Sequence, residues 1–423
     1  MLLQFSVENY MSFREKAVLS LVPSKDREHP ENINKVNTYK GLNAIATYGA
    51  NASGKTNYYK AITVALNMIR SSNTRQVNES LPIIPFKFSH DSIFKPSKFE
   101  FQFVASDQKK YVYGFTADSR IIYEEYLYRY SSRKPTKIFE RRSDGTYEFT
   151  AREKNLLSPL TQMNTPNKFF IATATMWNAQ STKIPLEWLS SGIDTYTELG
   201  LLTQDAMARY QGDNSEEYVH FAEKIMGEAD INISKIDVKV KKIPIKSNLA
   251  SFIPGIFING QLIQPQEQTQ LEVNTYHEVR GLDGSDVSRY SLPLAEESQG
   301  TQLLFTFSPL LKKALDEGKT IVIDEIDRSL HPAVVKYIVN LFRNEEVNKN
   351  GAQLIVTTHD TSLMRLGILR RDQICFVDKD KNTAESRIYS MDEFSVRKGE
   401  NIEKAYLLGR YGAIPEIQGG DII

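Results

Sequence analysis

The sequence predicts an α/β fold: a parallel sheet assembled from two separated halves, with an antiparallel β-meander and a helical insertion between them. Three observations lead there. Residues 43–48 (NAIATY) form a β-type run that ends in Gly49, and TNYYKAITVALNMIRSS after Lys55 carries Tyr59, Ile62, Val64, Leu66 and Ile69 at helical spacing. From Glu296 onward, helical and strand patterns alternate, the order that gives a parallel sheet. Between them, residues from Phe86 to Tyr130 alternate with period two and are rich in aromatics.

The elements follow in chain order. LLQFSVE at 2–8 and AVLSL at 17–21 read as strands, with polar Ser12–Arg14 between them. FKFS, KFEFQFVA, KYVYGFTA and IIYEEYLYRY form the meander, and IFERR with YEFTAR across Ser-Asp-Gly adds a hairpin. EKNLLSPLTQM, PLEWLSSGI and SEEYVHFAEKIMGEAD have helical periodicity, so residues 150–230 are expected to be a helical insertion. ISKIDVKVKKI and LEVNTYHEV return to strands, joined by a Gly-, Pro- and Gln-rich stretch expected to be a long loop. Then come the helix QLLFTFSPLLKKALDEG, the strand TIVIDEI, the helix PAVVKYIVNLFRNEE, the strand QLIVTTH and the helix SLMRLGILR. The expected organisation is an N-terminal lobe at 1–149, the insertion at 150–230 and a C-terminal lobe at 231–423.

Composition narrows the function. Of 423 residues, 41% are hydrophobic and 25% charged, enough to bury a core. Lys plus Arg and Asp plus Glu both number 52, which excludes a uniformly basic nucleic-acid coat but not a local basic face. Cys375 is the single cysteine, so neither an internal disulfide nor a cysteine-built zinc site can form. The sequence holds no apolar run long enough to span a membrane, and MLLQFSVENYMSFREK lacks the basic and apolar regions of a signal peptide. A soluble, cytoplasmic protein is expected.

Gly49-Ala50-Asn51-Ala52-Ser53-Gly54-Lys55-Thr56 matches G-x-x-x-x-G-K-[ST], with the strand before and the helix after that the motif requires. The glycines let backbone N–H groups turn inward around a β-phosphate, and the helix points its positive end at the same anion. Lys55 is placed to reach the β- and γ-phosphates of ATP, the Thr56 hydroxyl to ligate Mg²⁺, and Asn57 completes the cradle. Thr320-Ile321-Val322-Ile323-Asp324-Glu325 is a buried-type strand ending in two carboxylates. Function collects at the carboxyl ends of parallel strands. Asp324 is expected to hold the Mg²⁺ through water and Glu325 to orient and polarise the attacking water. Gln353-Leu354-Ile355-Val356-Thr357-Thr358-His359 ends in a histidine placed to sense the γ-phosphate. Glu296-Glu297-Ser298-Gln299-Gly300-Thr301 precedes the helix leading to Asp324; Ser298 reads either as an anion-binding turn or as a plain N-cap.

In this order the motifs resemble an ABC-type ATPase head (P-loop NTPase) of the SMC, RecF and OLD group. The resemblance implies that Ser298, Gln299 and Gly300 form a signature turn acting in trans on the γ-phosphate bound by a second subunit, so that ATP is sandwiched in a head-to-tail dimer. The turn reads ESQGT, not the LSGGQ of transporters, and is recognised by position. Asp327 matches the D-loop, and His331 and Pro332 in DRSLHP resemble the LHP of stand-alone bacterial members. Asn9, Tyr10 and Phe13 in VENYMSF are similar to the N-F-x-S-F opening of RecF-like heads, which suggests Tyr10 or Phe13 as the ring that stacks on adenine. PFKF at Pro85–Phe88 and YLLGRYGAIP at Tyr406–Pro415 look like the small ATPases of bacterial abortive-infection and anti-phage operons, of the RloA, AbiL and PARIS AriA type. The match covers residues 1–130 and 285–415, and no glutamine lid is assigned, although Gln102 and Gln108 lie in the meander.

The resemblance implies a homo-oligomeric Mg²⁺- and ATP-dependent switch controlling an operon-encoded toxic effector, with a phage protein as trigger. The alternatives are a RecF-like DNA-repair ATPase and a nucleotide-locked scaffold. Coiled-coil arms are excluded because no heptads separate the halves. The stretch after His359 is too short for an OLD-type nuclease domain, and Asp378-Lys379-Asp380 reads as a polar turn. Transporter coupling fits neither the meander nor the RecF-like start. Lys235, Lys239, Lys241, Lys242 and Lys246, and Arg129, Arg133, Lys134, Lys137, Arg141 and Arg142 with Tyr128 and Tyr130, form two basic clusters. They read as solvated strand faces or, alternatively, as a salt-sensitive DNA contact.

Overall fold

The computed structural model describes residues 1–132, 134–229, 231–244, 256–258, 261–263, 267–280, 287–365, 367–396 and 400–415. By contact density the chain forms two compact units: one of Met1–Glu198, Ala314–Arg328 and Val335–Ile423, the other of Leu199–Lys313 and Ser329–Val334. The first holds two large sheets and the small hairpin Ile33–Val36/Tyr39–Leu42. One is a six-stranded sheet in the order Ile193–Tyr196, Thr320–Ile323, Gln353–Thr357, Ala44–Tyr48, Ile374–Lys379, Ser386–Ser390. Its first five strands are parallel and its last, Ser386–Ser390, is antiparallel. The other is a seven-stranded antiparallel sheet that contains the meander strands Ser97–Val104, Lys110–Ala117 and Ile122–Tyr130, the hairpin Pro135–Arg141/Tyr147–Phe149, and the first two strands of the chain. The fold class is therefore α/β with an antiparallel meander, as expected.

The helix Lys55–Arg70 lies between these sheets, because consecutive tyrosines diverge by about 100° around a helix axis. The Tyr58 hydroxyl donates to Phe5 O at 2.9 Å in the antiparallel sheet, while the Tyr59 hydroxyl meets Thr47 Oγ1 at 3.1 Å in the parallel one. Ala61, Ile62, Ala65, Leu66, Met68 and Ile69 fill the space around them. Gln353, fully buried, joins the sheets directly. Its Oε1 accepts from Leu2 N–H at 2.6 Å and Thr320 Oγ1 at 3.0 Å, and its Nε2 donates to Leu2 O and Leu42 O. A buried amide with all its capacity used fixes the register between layers.

Four sequence expectations change. FKFS at 86–89 is not a strand: Asn9 Nδ2 donates to Ser92 O and Lys95 O and its Oδ1 accepts from Phe86 N–H, so the segment is pinned to the loop after the first strand. Residues 150–230 are not all helical. Beside the helices Ala151–Leu157, Phe170–Met176, Gln180–Ser191, Leu199–Tyr210 and Ser215–Glu228, Ile193–Tyr196 is an edge strand of the parallel sheet. Four residues are too few to show a period. The stretch read as a long loop contains a strand pair, Ile256–Ile258 and Gln261–Ile263, and the start of the strand Glu267–Arg280; 245–255, 259–260 and 264–266 lie outside the described residues. The helix after His359 spans only Ser362–Arg365, and Gly367 at φ +61° takes the chain out of helical geometry.

Glu125 anchors the meander to the helix Phe170–Met176. Its buried carboxylate accepts from the N–H of Phe170 at 2.6 Å, the N–H of Ile171 at 2.9 Å and the Tyr113 hydroxyl at 3.0 Å. Burial raises its pKa to about 6, against the pull of those three donors. The folded state thus keeps the proton up to about pH 6, whereas an unfolded chain releases it near its ordinary value of 4.5. This contribution to stability is full below pH 4.5 and lost as pH rises to about 6. Glu125→Gln is expected to lack that component in urea midpoints measured from pH 4 to 7. Glu125→Ala, which leaves three buried donors without an acceptor, is expected to cost about 3 kcal/mol or more.

The three-stranded antiparallel sheet of the second unit runs Lys235–Pro244, Glu267–Arg280, Val287–Pro293, and the helix Gln299–Glu317 starts in the same unit. The Tyr210 ring stacks on Phe305 at 4.3 Å and its hydroxyl donates to Phe305 O.

Candidate functional site

The loop Gly49–Thr56 leaves the central strand of the parallel sheet and enters the helix Lys55–Arg70. Two glycines are required by their surroundings. Gly54 has φ +112°, and a Cβ there would lie 2.4 Å from Ser386 Oγ and 2.7 Å from Ser12 Oγ. A Cβ on Gly49 would lie 2.3 Å from Val377 O. Ala52 also takes positive φ, 63°, as inward-turned amides demand. The loop is tied from outside: Ser386 Oγ donates to Ser53 O at 2.6 Å, Ser386 N–H to Ser12 O, and Asn57 Nδ2 to Ser12 Oγ at 3.0 Å. Asn51 and Ala52 are exposed, Ala50, Thr56 and Asn57 half-buried. Lys55 is 7% exposed, and its Nζ donates to Gly49 O at 2.6 Å and Ala50 O at 3.1 Å. Burial lowers its pKa, while the charges of Asp324, Glu325 and Asp327 pull it back up.

The strand Thr320–Ile323 stands one strand away from the loop strand, with Gln353–Thr357 between them. That intervening strand supplies a residue the sequence reading did not single out. Thr357 Oγ1 donates to Asp324 Oδ1 at 2.6 Å and accepts the Glu325 N–H at 2.6 Å. One buried hydroxyl therefore fixes the Asp324 carboxylate and the backbone of Glu325, and Asp324 N–H donates to Tyr196 O on the other side. Glu325 is exposed and holds φ +54°, left-handed backbone that an ordinary residue adopts at some cost. His359 is also exposed, and its N–H donates to Asp327 Oδ2 at 3.0 Å. Threonine in a buried strand carries no distinguishing sequence signal; only its neighbour across the ladder reveals this use.

Residues 49–57, Asp324, Glu325, Asp327 and His359 thus share the carboxyl edge of one sheet. Next to the loop, a cleft of about 930 Å³ is lined by Ala50–Ser53, His359, the strand end and turn at Asp378–Asn382, and Leu407. The site fits a phosphate-bearing ligand: the Ser53 hydroxyl, a donor on the loop, is buried without a partner among the described residues. One carboxylate, Asp324, and one hydroxyl, Thr56, match the sparse protein ligation of Mg²⁺ beside phosphates.

Ser298, Gln299 and Gly300 belong to the second unit. Ser298 is the N-cap of its helix: Thr301 N–H donates to Ser298 Oγ at 3.2 Å. Gly300 packs so closely that a Cβ would lie 2.7 Å from Ser329 O. Ser298 and Gln299 remain exposed.

Tyr10 and Phe13 are 2% and 0% exposed. Tyr10 packs edge-on against Phe99 and Phe13 against Tyr58, so neither presents a face to a base. Asp378 is in a strand, paired with Arg387, and Asp380 Oδ1 accepts the N–H groups of Asn382 and Thr383 in the following turn. Four cations of the basic clusters pair with carboxylates. Lys137 pairs with Glu140 and Glu148, Arg142 with Glu148, Lys239 with Asp237 and Lys241 with Glu272. Arg141 is buried against the carbonyls of Pro166 and Lys168. Arg133 and Lys246 lie outside the described residues.

A phosphate loop on the central strand and two carboxylates one strand removed define a P-loop nucleotide-binding domain of the ATPase class. The family model described as "AAA domain, putative AbiEii toxin, Type IV TA system" matches residues 46–156 and 261–365, just over half of the chain, and the protein belongs to that family. No curated protein matches it. Among solved structures, the recombination mediator protein RecF-ATP in the RecFOR pathway aligns with 85% of this chain and 93% of its own, at 15% identity and a TM-score of 0.37. The RecF-ATPrS structure aligns with 92% and 98%, at 16% identity and a TM-score of 0.33. Among the described residues, no helix is long and apolar enough to cross a membrane.

Proposed function

We propose that this protein is a Mg²⁺-dependent ATPase that works as a switch, closing as a head-to-tail dimer on ATP and controlling a toxic effector, a nuclease encoded beside it, in cytoplasmic anti-phage defence. The observation that carries the reading is the Thr357 hydroxyl holding Asp324 and Glu325 one strand away from the phosphate loop. The loop amides and Lys55 bind the β- and γ-phosphates, Lys55 exchanging the carbonyls of Gly49 and Ala50 for phosphate oxygens. Thr56 and Asp324 would hold Mg²⁺, which offsets charge on the phosphates. Glu325 orients a water for attack on the γ-phosphorus and takes its proton as the bond to the β-phosphate oxygen breaks. His359, steadied by Asp327, senses the γ-phosphate. Ser298, Gln299 and Gly300 of one copy cap the γ-phosphate held by the other, so hydrolysis removes what favours the closed state. The description of the family names a putative toxin of a type IV TA system, which supports a place for the chain in such a system.

The test is the mass of the purified protein with and without ATP and Mg²⁺, alone and co-expressed with the product of the neighbouring gene. ATP-dependent dimers in the wild type and monomers in Ser298→Arg are expected. Mass indifferent to ATP would sink the composite site, and a neighbour that never co-elutes would sink effector control.

A further inference from the structure

The residue before the Ser298–Gly300 turn is engaged through its backbone N–H, its carbonyl and one carboxylate oxygen. Glu297 is 10% exposed at its side chain. Its N–H donates to Leu294 O at 3.1 Å, and its carbonyl accepts from Gln302 Nε2 at 2.8 Å. Its carboxylate does not point along the helix. It turns back to the central strand of the three-stranded sheet, where Oε1 accepts from Thr275 Oγ1 at 2.5 Å and from His277 Nε2 at 2.7 Å. A carboxylate is acceptor-only, so the His277 proton sits on Nε2. Thr275 is fully buried, and His277 lies two residues on, on the same face of the strand. All these residues are in one compact unit.

We infer that Glu297 is a positioning residue that fixes the Ser298–Gly300 turn to the sheet of Lys235–Pro244, Glu267–Arg280 and Val287–Pro293, so that this sheet regulates closure of the ATP site. The inference rests on the proposed role of the turn in trans. The physical basis is leverage. Ser298 is exposed, and its own contacts, to Thr301 and Gln302, run inside its first helical turn. Those contacts shape the turn but do not aim it. Gln299 and Gly300 rest on Ser329, and on the Ser298 side the aim comes through Glu297, the adjoining residue, held by two charge-assisted hydrogen bonds to a sheet strand. A partner that shifts the central strand moves Thr275 and His277, and Glu297 carries the shift to the turn. Positioning a capping group within a fraction of an ångström is what trans capping of a γ-phosphate demands.

The experiment uses the full chain and separates ATP binding by each subunit from ATP-driven dimerisation. Glu297→Ala, His277→Ala and His277→Gln are compared with the wild type and with Ser298→Arg. Binding of a fluorescent ATP analogue to dilute monomer, dimer dissociation constant with ATP and Mg²⁺, and thermal midpoint are measured on each. Expected for Glu297→Ala and His277→Ala is monomer affinity within twofold of the wild type and a dimer dissociation constant raised at least tenfold. His277→Gln, whose amide can still donate to Glu297, is expected to recover most of that loss. A midpoint lowered in Glu297→Ala and His277→Gln alike, with dimerisation lost in both, would mean a merely structural role and overturn the inference. Unaltered dimerisation in Glu297→Ala while Ser298→Arg abolishes it would also overturn it, leaving the turn's role intact. A wild type that does not dimerise on ATP, or a Ser298→Arg that dimerises normally, would remove the turn's role and this inference with it.

Discussion

Lys55→Ala is expected to weaken ATP binding on the order of 10²–10³-fold, the equivalent of about 3–4 kcal/mol. The ammonium is almost fully enclosed by the loop, and two of its three donors already rest on Gly49 O and Ala50 O. Bound phosphate replaces those neutral acceptors with charged ones, and in so enclosed a place a charge-assisted hydrogen bond is roughly twice as strong as a neutral one. The free protein gains little compensation from the change. Alanine leaves the Gly49 and Ala50 carbonyls to water, and the loop retains its ties to Ser12 and Ser386. Thermal stability without nucleotide should therefore change by less than the binding does. Calorimetric titration of wild type and variant with ATP checks this; equal affinities would show that the loop does not bind phosphate.

Glu325→Gln is expected to lower the rate of ATP hydrolysis about 10²–10⁴-fold, the usual contribution of a positioned general base, with ATP affinity nearly unchanged. The geometry makes the substitution clean. The backbone N–H of residue 325 bonds to Thr357 Oγ1, and the left-handed φ of +54° belongs to the backbone, so both survive a change confined to the carboxyl group. The Asp324–Thr357 bond is untouched. Closed dimers should then accumulate on ATP. Phosphate release under single-turnover conditions, read beside mass, gives the answer. Undiminished hydrolysis in the variant would move the base elsewhere, and loss of ATP binding would mean that Glu325 acts on the ground state.

Much of this architecture was legible in the sequence for a reason common to its parts. The phosphate loop, the strands ending at Asp324 and His359 and the aromatic meander each impose a local pattern: glycines where backbone must turn inward, unbroken apolar runs where a strand is covered on both faces, alternation where one face is wet. What was missed depends on contacts distant in sequence. Ile193–Tyr196 is a strand because Thr320–Ile323 offers it a ladder, not because four residues have a period. FKFS alternates like a strand, yet Asn9 takes its first amide and no ladder forms. Tyr10 and Phe13 sit at positions where a resemblance suggested base stacking, but the core closed over them.

Local pattern is enough to place the protein in its class: a motif for a phosphate loop, two carboxylates at a strand end, and the α/β order that brings them to one edge. Tertiary structure decided how the site is held. Thr357 clamps the Asp324 carboxylate and the Glu325 backbone, Ser12 and Ser386 brace the loop, and Glu297 ties an exposed turn to a sheet. The physical reason is that a motif is written in the backbone demands of neighbouring residues, whereas orientation comes from hydrogen bonds between residues far apart in the chain. A single buried hydroxyl or carboxylate can make such bonds almost anywhere, and nothing in its local sequence marks where it will.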